Sequence, residues 1–253
     1  MPLTIGTNIG ALWASAAITS HQRGAETAMA RLASGKRINS SADDPAGVAI
    51  ASRMNSEIRS TSQAIRNALD GQALLDTGEG GHKEVEHILQ RMREIAVQAA
   101  NDTNSAQDRD NLNAEMKALS TEIDRISSVT SWAGQNLMGE GRSQFSFQVG
   151  TSINAKAAIT VPINSMSANT LSVDHAAVSV NGPEASRSAI PAIDGAITLV
   201  NSQRSMLGAT SNRLSYAVNN LTNVSNNLTA ALGRIQDADY AAEITALAKH
   251  QIL

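Results

Sequence analysis

The stretch from Ile193 to Ile235 reads IDGAITLVNSQRSMLGATSNRLSYAVNNLTNVSNNLTAALGRI, and it decides the fold. Apolar residues recur in it every seven positions without a slip, at Ile193, Val200, Leu207, Leu214, Leu221, Leu228 and Ile235. A seven-residue period keeps one stripe of a helix against the same partner over many turns, so it predicts a coiled-coil seam roughly 65 Å long. A buried helix of a globular domain is the alternative, but it rarely holds so strict a period over this length.

The positions between these seam residues are less regular. The residues four places after each of the first six seam positions are of mixed type: Ile197, Val218 and Leu232 are apolar, and Arg204, Ser211 and Ser225 are polar. We expect this mixed row to complete the seam, because a coiled coil needs two facing positions in each heptad.

Two shorter seams lie upstream and supply candidate partners. Their apolar residues are spaced by three and four, at Val85, Ile88, Met92 and Ile95 in the first and at Leu112, Met116, Leu119 and Ile123 in the second. The polar segment that begins at Asn101 separates them and predicts an antiparallel helical hairpin. The predicted fold class is therefore mainly α, an elongated antiparallel coiled-coil helical bundle with a small β-hairpin region at one end.

Local signals refine this architecture. Residues 144–149 and 158–163 alternate with period two and predict the β-hairpin. Asp43 or Asp44 is suited to cap a helix that starts at Pro45. The glycines between residues 78 and 81 cost up to about 1 kcal/mol each in a helix, so we expect a kink or a frayed turn there.

Composition narrows the function. The 253 residues carry a formal charge of −3, which gives no electrostatic reason to expect nucleic-acid binding. The chain contains no cysteine, so disulfides and thiolate metal sites are excluded. Residues 1–8 do not have the basic and apolar regions of a Sec-type signal peptide, and no apolar run is long enough to cross a membrane. We therefore expect no membrane insertion.

Candidate catalytic and metal-binding motifs are weak. Glu84 and His87 form a single E-x-x-H, whereas di-metal bundles use two copies with further inward carboxylates. Asp237 and Asp239 are two apart and point to different helix faces. These observations predict a protein that is not an enzyme and has no cofactor.

Three longer motifs carry a family resemblance. They are RLASGKRINSSADDPAGVAIA at residues 31–51, LQRMREIAVQAAN at residues 89–101, and GRIQDADYAAE at residues 233–243 followed by QIL at the end of the sequence. They resemble, in the same order, the N-terminal, second and C-terminal blocks of bacterial flagellins.

The resemblance implies a structural subunit that self-assembles into the flagellar filament for swimming motility. It implies an N-terminal inner-tube tail over residues 1–43, N-terminal bundle helices over 44–140, a β-hairpin and loop region over 141–188, a C-terminal bundle helix over 189–235, and the start of a C-terminal inner-tube helix over 236–253. The tails have small apolar stripes, so we expect them to order as copies assemble.

The chain departs from the family pattern in three ways. The glycines between residues 78 and 81 lie where the family usually continues a helix. The β-region is short, so the large outer domains of many flagellins are missing. The sequence stops at Leu253, where the inner-tube helix of the family continues, and we expect a C-terminally truncated form with impaired polymerisation.

The resemblance also implies partners and a location. The partners are other copies of the chain, a flagellar export chaperone, and the filament cap and junction proteins. The protein would reach the extracellular flagellum through type III export, without a cleaved signal peptide. Toll-like innate immune receptors recognise the bundle surface of flagellins, and the matching positions are Gln90, Arg91, Ile95, Gln98 and Glu115. Subunit packing is the alternative role for these residues.

Two other functions remain open at this point. A hook–filament junction protein shares similar terminal helices, although residues 89–101 and 235–240 favour flagellin itself. A surface-displayed polysaccharide-binding homologue would need exposed aromatic residues, and Trp132, Phe145 and Phe147 are too few.

Overall fold

A computed structural model of the chain describes residues 8–139, 143–152 and 157–253. The described residues are 73% helical and form two small antiparallel sheets, so the mainly helical class with a small β-region is confirmed. The elements in chain order are α1 (Ile9–Ser34), α2 (Pro45–Ala99), α3 (Ala106–Val129), β1 (Ser131–Trp132), β2 (Gln135–Asn136), β3 (Ser143–Gln148), β4 (Ala158–Ile163), α4 (Pro183–Gln236) and α5 (Tyr240–Ile252). The signal-peptide prediction falls on residues 1–8, of which 1–7 lie outside the described residues.

The chain divides into two compact units. The terminal unit comprises Met1–Thr61 and Asn223–Leu253, and the bundle unit comprises Ser62–Thr222. The long helices α2 and α4 each contribute residues to both units.

In the bundle unit, α2 and α4 run antiparallel. Near one end of their contact, the Gln72 side-chain amide donates a hydrogen bond to the Ser215 hydroxyl at 2.7 Å. Farther along α2, Arg93 bonds Asp194 at 2.6 Å. Residue numbers therefore rise along α2 while they fall along α4, which makes α2 a partner of the long seam within the same chain.

Part of the long seam is buried in the core of the bundle unit. Its first four members are fully buried, and they are Ile193, Val200, Leu207 and Leu214. Its last three members are half-buried, and they are Leu221, Leu228 and Ile235. In the upstream seams, Val85, Met92, Ile95, Met116 and Ile123 are fully buried. Ile88, Leu112 and Leu119 are half-buried and pack against the same core.

The positions beside the seam agree with the prediction only in part. Ile197 and Val218 of the predicted row are half-buried and pack against the core. The fully buried residues come three places after the seam positions, and they are Ala196, Gln203 and Thr210. Gln203 is buried because its amide donates to the Pro162 carbonyl at 2.8 Å and accepts from Asn164 at 2.9 Å. The β-hairpin thus covers a polar seam residue and satisfies its hydrogen bonds, a contact that periodicity alone does not reveal.

The predicted frayed turn in α2 is absent, because the helix continues unbroken from Pro45 to Ala99. A Cβ on Gly81 would lie 2.6 Å from the Met138 sulfur and 3.0 Å from the Thr130 hydroxyl. A Cβ on Gly71 would lie 2.9 Å from the Phe147 ring. These glycines let the segment after α3 and the hairpin approach the helix closely, and the packing offsets their unfavourable helix propensity.

The β-region is two separate hairpins. Strands β3 and β4 pair antiparallel, with Gln144 opposite Pro162 and Phe147 opposite Ile159, as the alternating pattern predicted. The pairing of β1 with β2 was not predicted. Their two-residue turn has positive φ at Ala133 and Gly134, which is the backbone of the favoured tight hairpin turns.

A polar cluster lies between α2 and α4 in the bundle unit. Arg204 from α4 forms ion pairs with Glu79, at 2.7 Å, and with Glu86. His82 is fully buried beside them, and its Nδ1 lies 2.6 Å from the Gly78 carbonyl oxygen. Burial lowers the pKa of His82, while the Gly78 carbonyl and the charge of Glu79 partly oppose this effect. His82 is therefore held neutral inside the bundle.

The start of α2 follows the predicted capping. Asp44 accepts a hydrogen bond from the Gly47 amide at 2.8 Å, directly before the first helical residue Pro45. Asp43 closes the preceding turn, since its carboxylate accepts from the Ser40 and Asn39 amides. These backbone hydrogen bonds, that of Ser40 first, lower the pKa of Asp43.

Candidate assembly site

The terminal unit is built around an antiparallel pair of helices, α1 and α5. The Tyr240 hydroxyl at the start of α5 donates to the Leu32 carbonyl near the end of α1 at 3.2 Å. One turn farther along, Arg31 bonds Glu243 at 2.9 Å. The N-terminal and C-terminal parts of the chain therefore meet along these two helices.

The motifs that carry the family resemblance join at the base of this pair. Lys36 and Asp237 form an antiparallel β-bridge. The Arg37 amide donates to the Gln236 carbonyl at 2.7 Å, and the Arg37 guanidinium donates to the Ile235 carbonyl at 2.7 Å. The α1 helix ends at Gly35 with a φ of 69°, the left-handed cap that glycine allows and that turns the chain toward the bridge.

This bridge was not among the candidate site residues taken from the sequence. Both of its strands lie inside quoted motifs, SGKRIN and RIQDAD. The sequence did contain complementary charges, since Lys36 and Arg37 lie in one motif and Asp237 and Asp239 lie in the other. Pairing them requires knowledge that the two ends of the chain meet, which the periodicity of neither segment provides.

The helices α1 and α5 expose most of their apolar residues. In α1 only Ala28 is buried, and in α5 no residue is buried. Trp13 is 74% exposed and Ile18 is 63% exposed. The other large apolar residues exposed on these helices and at the end of the chain are Ile9, Leu12, Met29, Ile244, Ile252 and Leu253. Exposed apolar surface of this extent is typical of a protein interaction site.

A second candidate surface lies on α2 and α3 of the bundle unit. Arg91 donates to Glu115 at 2.8 and 3.0 Å and to Glu94 at 3.0 Å. These hydrogen bonds, those of Glu115 first, raise the pKa of Arg91. Gln90 and Gln98 are exposed on the same helix.

Ile95 does not belong to this second surface. It is fully buried in the bundle core, with no exposed area. It belongs to the seam, where its spacing from Met92 also places it, and a partner cannot reach it without unfolding the helix pair. The residues available on this surface are Gln90, Arg91, Gln98 and Glu115.

Among the described residues, no group of three or more potential metal-ligating side chains comes together. No helix in the same part of the chain has the length and apolar content needed to span a bilayer.

Comparisons with known families cover most of the chain. A family model for the bacterial flagellin N-terminal helical region matches residues 5–141. A second model, for the bacterial flagellin C-terminal helical region, matches residues 190–253.

Individual proteins agree with these matches. A flagellin from Halalkalibacterium halodurans is 39% identical over 90% of this chain and 83% of its own length. Flagellin A of Vibrio cholerae is 43% identical over 60% of this chain, and the match spans only 40% of that longer relative.

Two solved structures align with this chain. The crystal structure of Bacillus cereus flagellin aligns with a TM-score of 0.53 and 30% identity, covering 66% of this chain and 94% of its own. A putative flagellar hook-associated protein from Vibrio parahaemolyticus aligns with a TM-score of 0.65 over 77% of this chain and all of its own. At 17% identity, the latter shows the fold alone.

Proposed function

This chain belongs to the bacterial flagellin family, and from that premise we propose that it assembles with copies of itself into the extracellular filament of a bacterial flagellum. Flagellins are structural proteins and not enzymes. The observation that carries the proposal is the terminal unit, where paired helices leave their large apolar side chains exposed. The hook-junction and polysaccharide-binding alternatives have no comparable support.

Burial of apolar surface between copies would stabilise the filament. Apolar surface removed from water contributes about 25 cal/mol per Å², so covering the exposed faces of α1 and α5 with other copies stabilises the assembled state. A group that is buried only in the assembly makes folding and assembly one linked process. Terminal helices of this kind favour polymerisation because they are poorly stabilised without it.

The same reasoning assigns parts of the filament to parts of the chain. Residues 1–43 and 236–253 would supply the inner-tube helices, in which exposed apolar faces meet. Residues 44–140 and 189–235 would supply the outer bundle, and residues 141–188 would carry its short β-region. The Lys36–Asp237 bridge would then tie the two inner-tube segments at the point where they join the bundle.

Partners beyond the chain itself are part of the proposal. An export chaperone, the filament cap and the junction proteins would handle the chain during type III export and assembly. A Toll-like receptor would bind the surface formed by Gln90, Arg91, Gln98 and Glu115. Arg91 suits this role because Glu115 and Glu94 fix a guanidinium whose side chain remains 48% exposed.

The test of the proposed function is addition of the parent chain to preformed filament seeds, followed by electron microscopy. Even slow addition by the parent chain provides the reference against which its variants are measured. Ile18→Asp places a charge in the exposed apolar face of α1 and should abolish growth, because filament contacts would bury that charge. Its melting temperature as a soluble chain should stay unchanged. The matched control is Ser20→Asp, which adds the same charge at an exposed polar position on the opposite face of the same helix.

Filaments grown equally well from the Ile18→Asp chain would refute the role given to α1. Failure of both variants would mean that charge anywhere on α1 prevents growth, and the apolar face would lose its special role.

A further inference from the structure

Two histidines from opposite parts of the sequence meet in the terminal unit. His21 lies on α1 and His250 lies near the end of α5, and both side chains are half-buried. Their Nδ1 atoms are 3.3 Å apart. The ring centroids are 5.6 Å apart and the ring planes are tilted by 49°, so the rings converge at these nitrogens and do not stack.

The helix opposite is shaped to accept the His250 ring. Gly24 lies in the interior of α1, where glycine costs about 1 kcal/mol against alanine. A Cβ at this position would lie 2.6 Å from both Cε1 and Nε2 of His250. Such a distance is a steric clash, so only glycine leaves room for the imidazole to lie against the helix.

The spacing of the two nitrogens fits a shared metal ion. Zinc binds histidine nitrogen at 2.0–2.1 Å with tetrahedral geometry, which sets two such ligands about 3.3–3.4 Å apart. The observed 3.3 Å is thus the separation expected of two ligands of one ion, and a hydrogen bond between a protonated and an unprotonated Nδ1 is the alternative that the experiment below must exclude.

We propose that His21 and His250 form a two-histidine site for a divalent transition-metal ion, which links α1 to α5. Imidazole nitrogens suit zinc, copper and nickel, so the ligand class is a borderline transition metal. No third ligating side chain joins the pair among the described residues, and water fills the remaining positions of the ion. The ion stabilises the terminal helix pair, and the site goes beyond the assembly function because it acts within one copy.

The experiment is a zinc titration of the full chain, produced without a histidine tag. Calorimetry should show one saturable ion per chain, and selective NMR of the imidazole nitrogens should shift the Nδ1 signals of His21 and His250. His21→Asn and His250→Asn should each abolish this step. His87→Asn is the matched control, because His87 is an exposed histidine on α2, and it should leave the step intact.

A second variant separates metal binding from helix stability. Gly24→Ala improves helix propensity but displaces the His250 ring, so it should weaken zinc binding at least about tenfold while helical content stays the same or rises. Binding that persists in both asparagine variants, or no saturable binding by the parent chain, would overturn the proposal and leave the pair as a hydrogen bond. Unchanged affinity in Gly24→Ala would overturn the role given to that glycine.

Discussion

The bundle unit and the terminal unit are both built from long helices, but they differ in the burial of their large apolar side chains. The bundle unit buries large residues such as Leu89, Met92 and Leu207 completely. The terminal unit leaves Trp13 and Ile18 mostly exposed, and its helix α5 has no buried residue. The first unit therefore has a core of its own, whereas the second offers surface to something else.

The long seam makes this difference visible along one helix. The seven-residue period runs through α4 without a change in chemistry, yet burial is complete up to Leu214 and only partial from Leu221 onward. The same pattern is thus compatible with a partner inside the chain and with a partner in another copy. The seven-residue period identifies the face of α4 that packs against a partner. It does not show whether that partner is a helix of the same chain or of another copy.

The largest expected effect comes from comparing two seam leucines. Leu214→Ala should lower the free energy of unfolding by about 2–5 kcal/mol, because it leaves a cavity at a fully buried position. Leu228→Ala, two heptads later on the same helix, should cost much less in the soluble chain because that side chain is only half-buried. Urea unfolding of both variants measures the difference, and alanine maintains helix propensity in each.

Equal losses from these two substitutions would erase the contrast between the units. They would show that the terminal unit gains as much from its own packing as the bundle unit does, and the exposed faces of α1 and α5 would need another explanation.

Much of the fold could be predicted because it rests on local patterns. The helical hairpin of α2 and α3 and the pairing of β3 with β4 follow from spacing of three and four residues and from alternation. The start of α2 follows from the capping chemistry of Asp44 and Pro45. Each of these signals involves residues that are close in the sequence.

The features that were missed depend on contacts between distant segments. Gly81 was expected to disturb the helix, because the residues that pack against it in the fold, Met138 and Thr130, are distant in the sequence. Gln203 was not among the predicted seam residues, because the hydrogen bonds that accompany its burial come from Pro162 and Asn164 at the hairpin. For the candidate site, the family motifs indicated the right segments but could not show that Lys36 meets Asp237. The spacing of three and four had already placed Ile95 in the seam, and its burial agrees with that spacing and not with the receptor surface.

A second prediction concerns how the bundle unit responds to acid. In the unfolded chain His82 titrates near its ordinary pKa of 6.5, whereas burial lowers its pKa in the folded protein. The unfolded state therefore binds more protons below about pH 6.5, and the free energy of unfolding should fall as the pH drops from there toward the folded pKa. The slope is at most about 1.4 kcal/mol per pH unit for one group.

Chemical unfolding between pH 7 and pH 5 measures this effect. His82→Gln should remove the His82 contribution to the pH slope, whereas His87→Gln, an exposed histidine on the same helix, should retain it. Glu79 and Arg204 flank His82, so their ion pair must be preserved in both variants. A slope that survives in His82→Gln would place the acid sensitivity elsewhere, for example in the terminal unit.

The smallest expected effect is also the sharpest measure of how tightly the bundle unit is packed. Gly80 and Gly81 are neighbours in α2, and alanine favours the helix by up to about 1 kcal/mol at either position. A Cβ on Gly80 meets nothing within 4 Å, so Gly80→Ala should raise the melting temperature by a few degrees. A Cβ on Gly81 would collide with Met138, so Gly81→Ala should lower the melting temperature despite the same gain in propensity. Stabilisation by both substitutions would mean that Met138 moves aside at little cost, and that the core around this helix is less rigid than its burial implies.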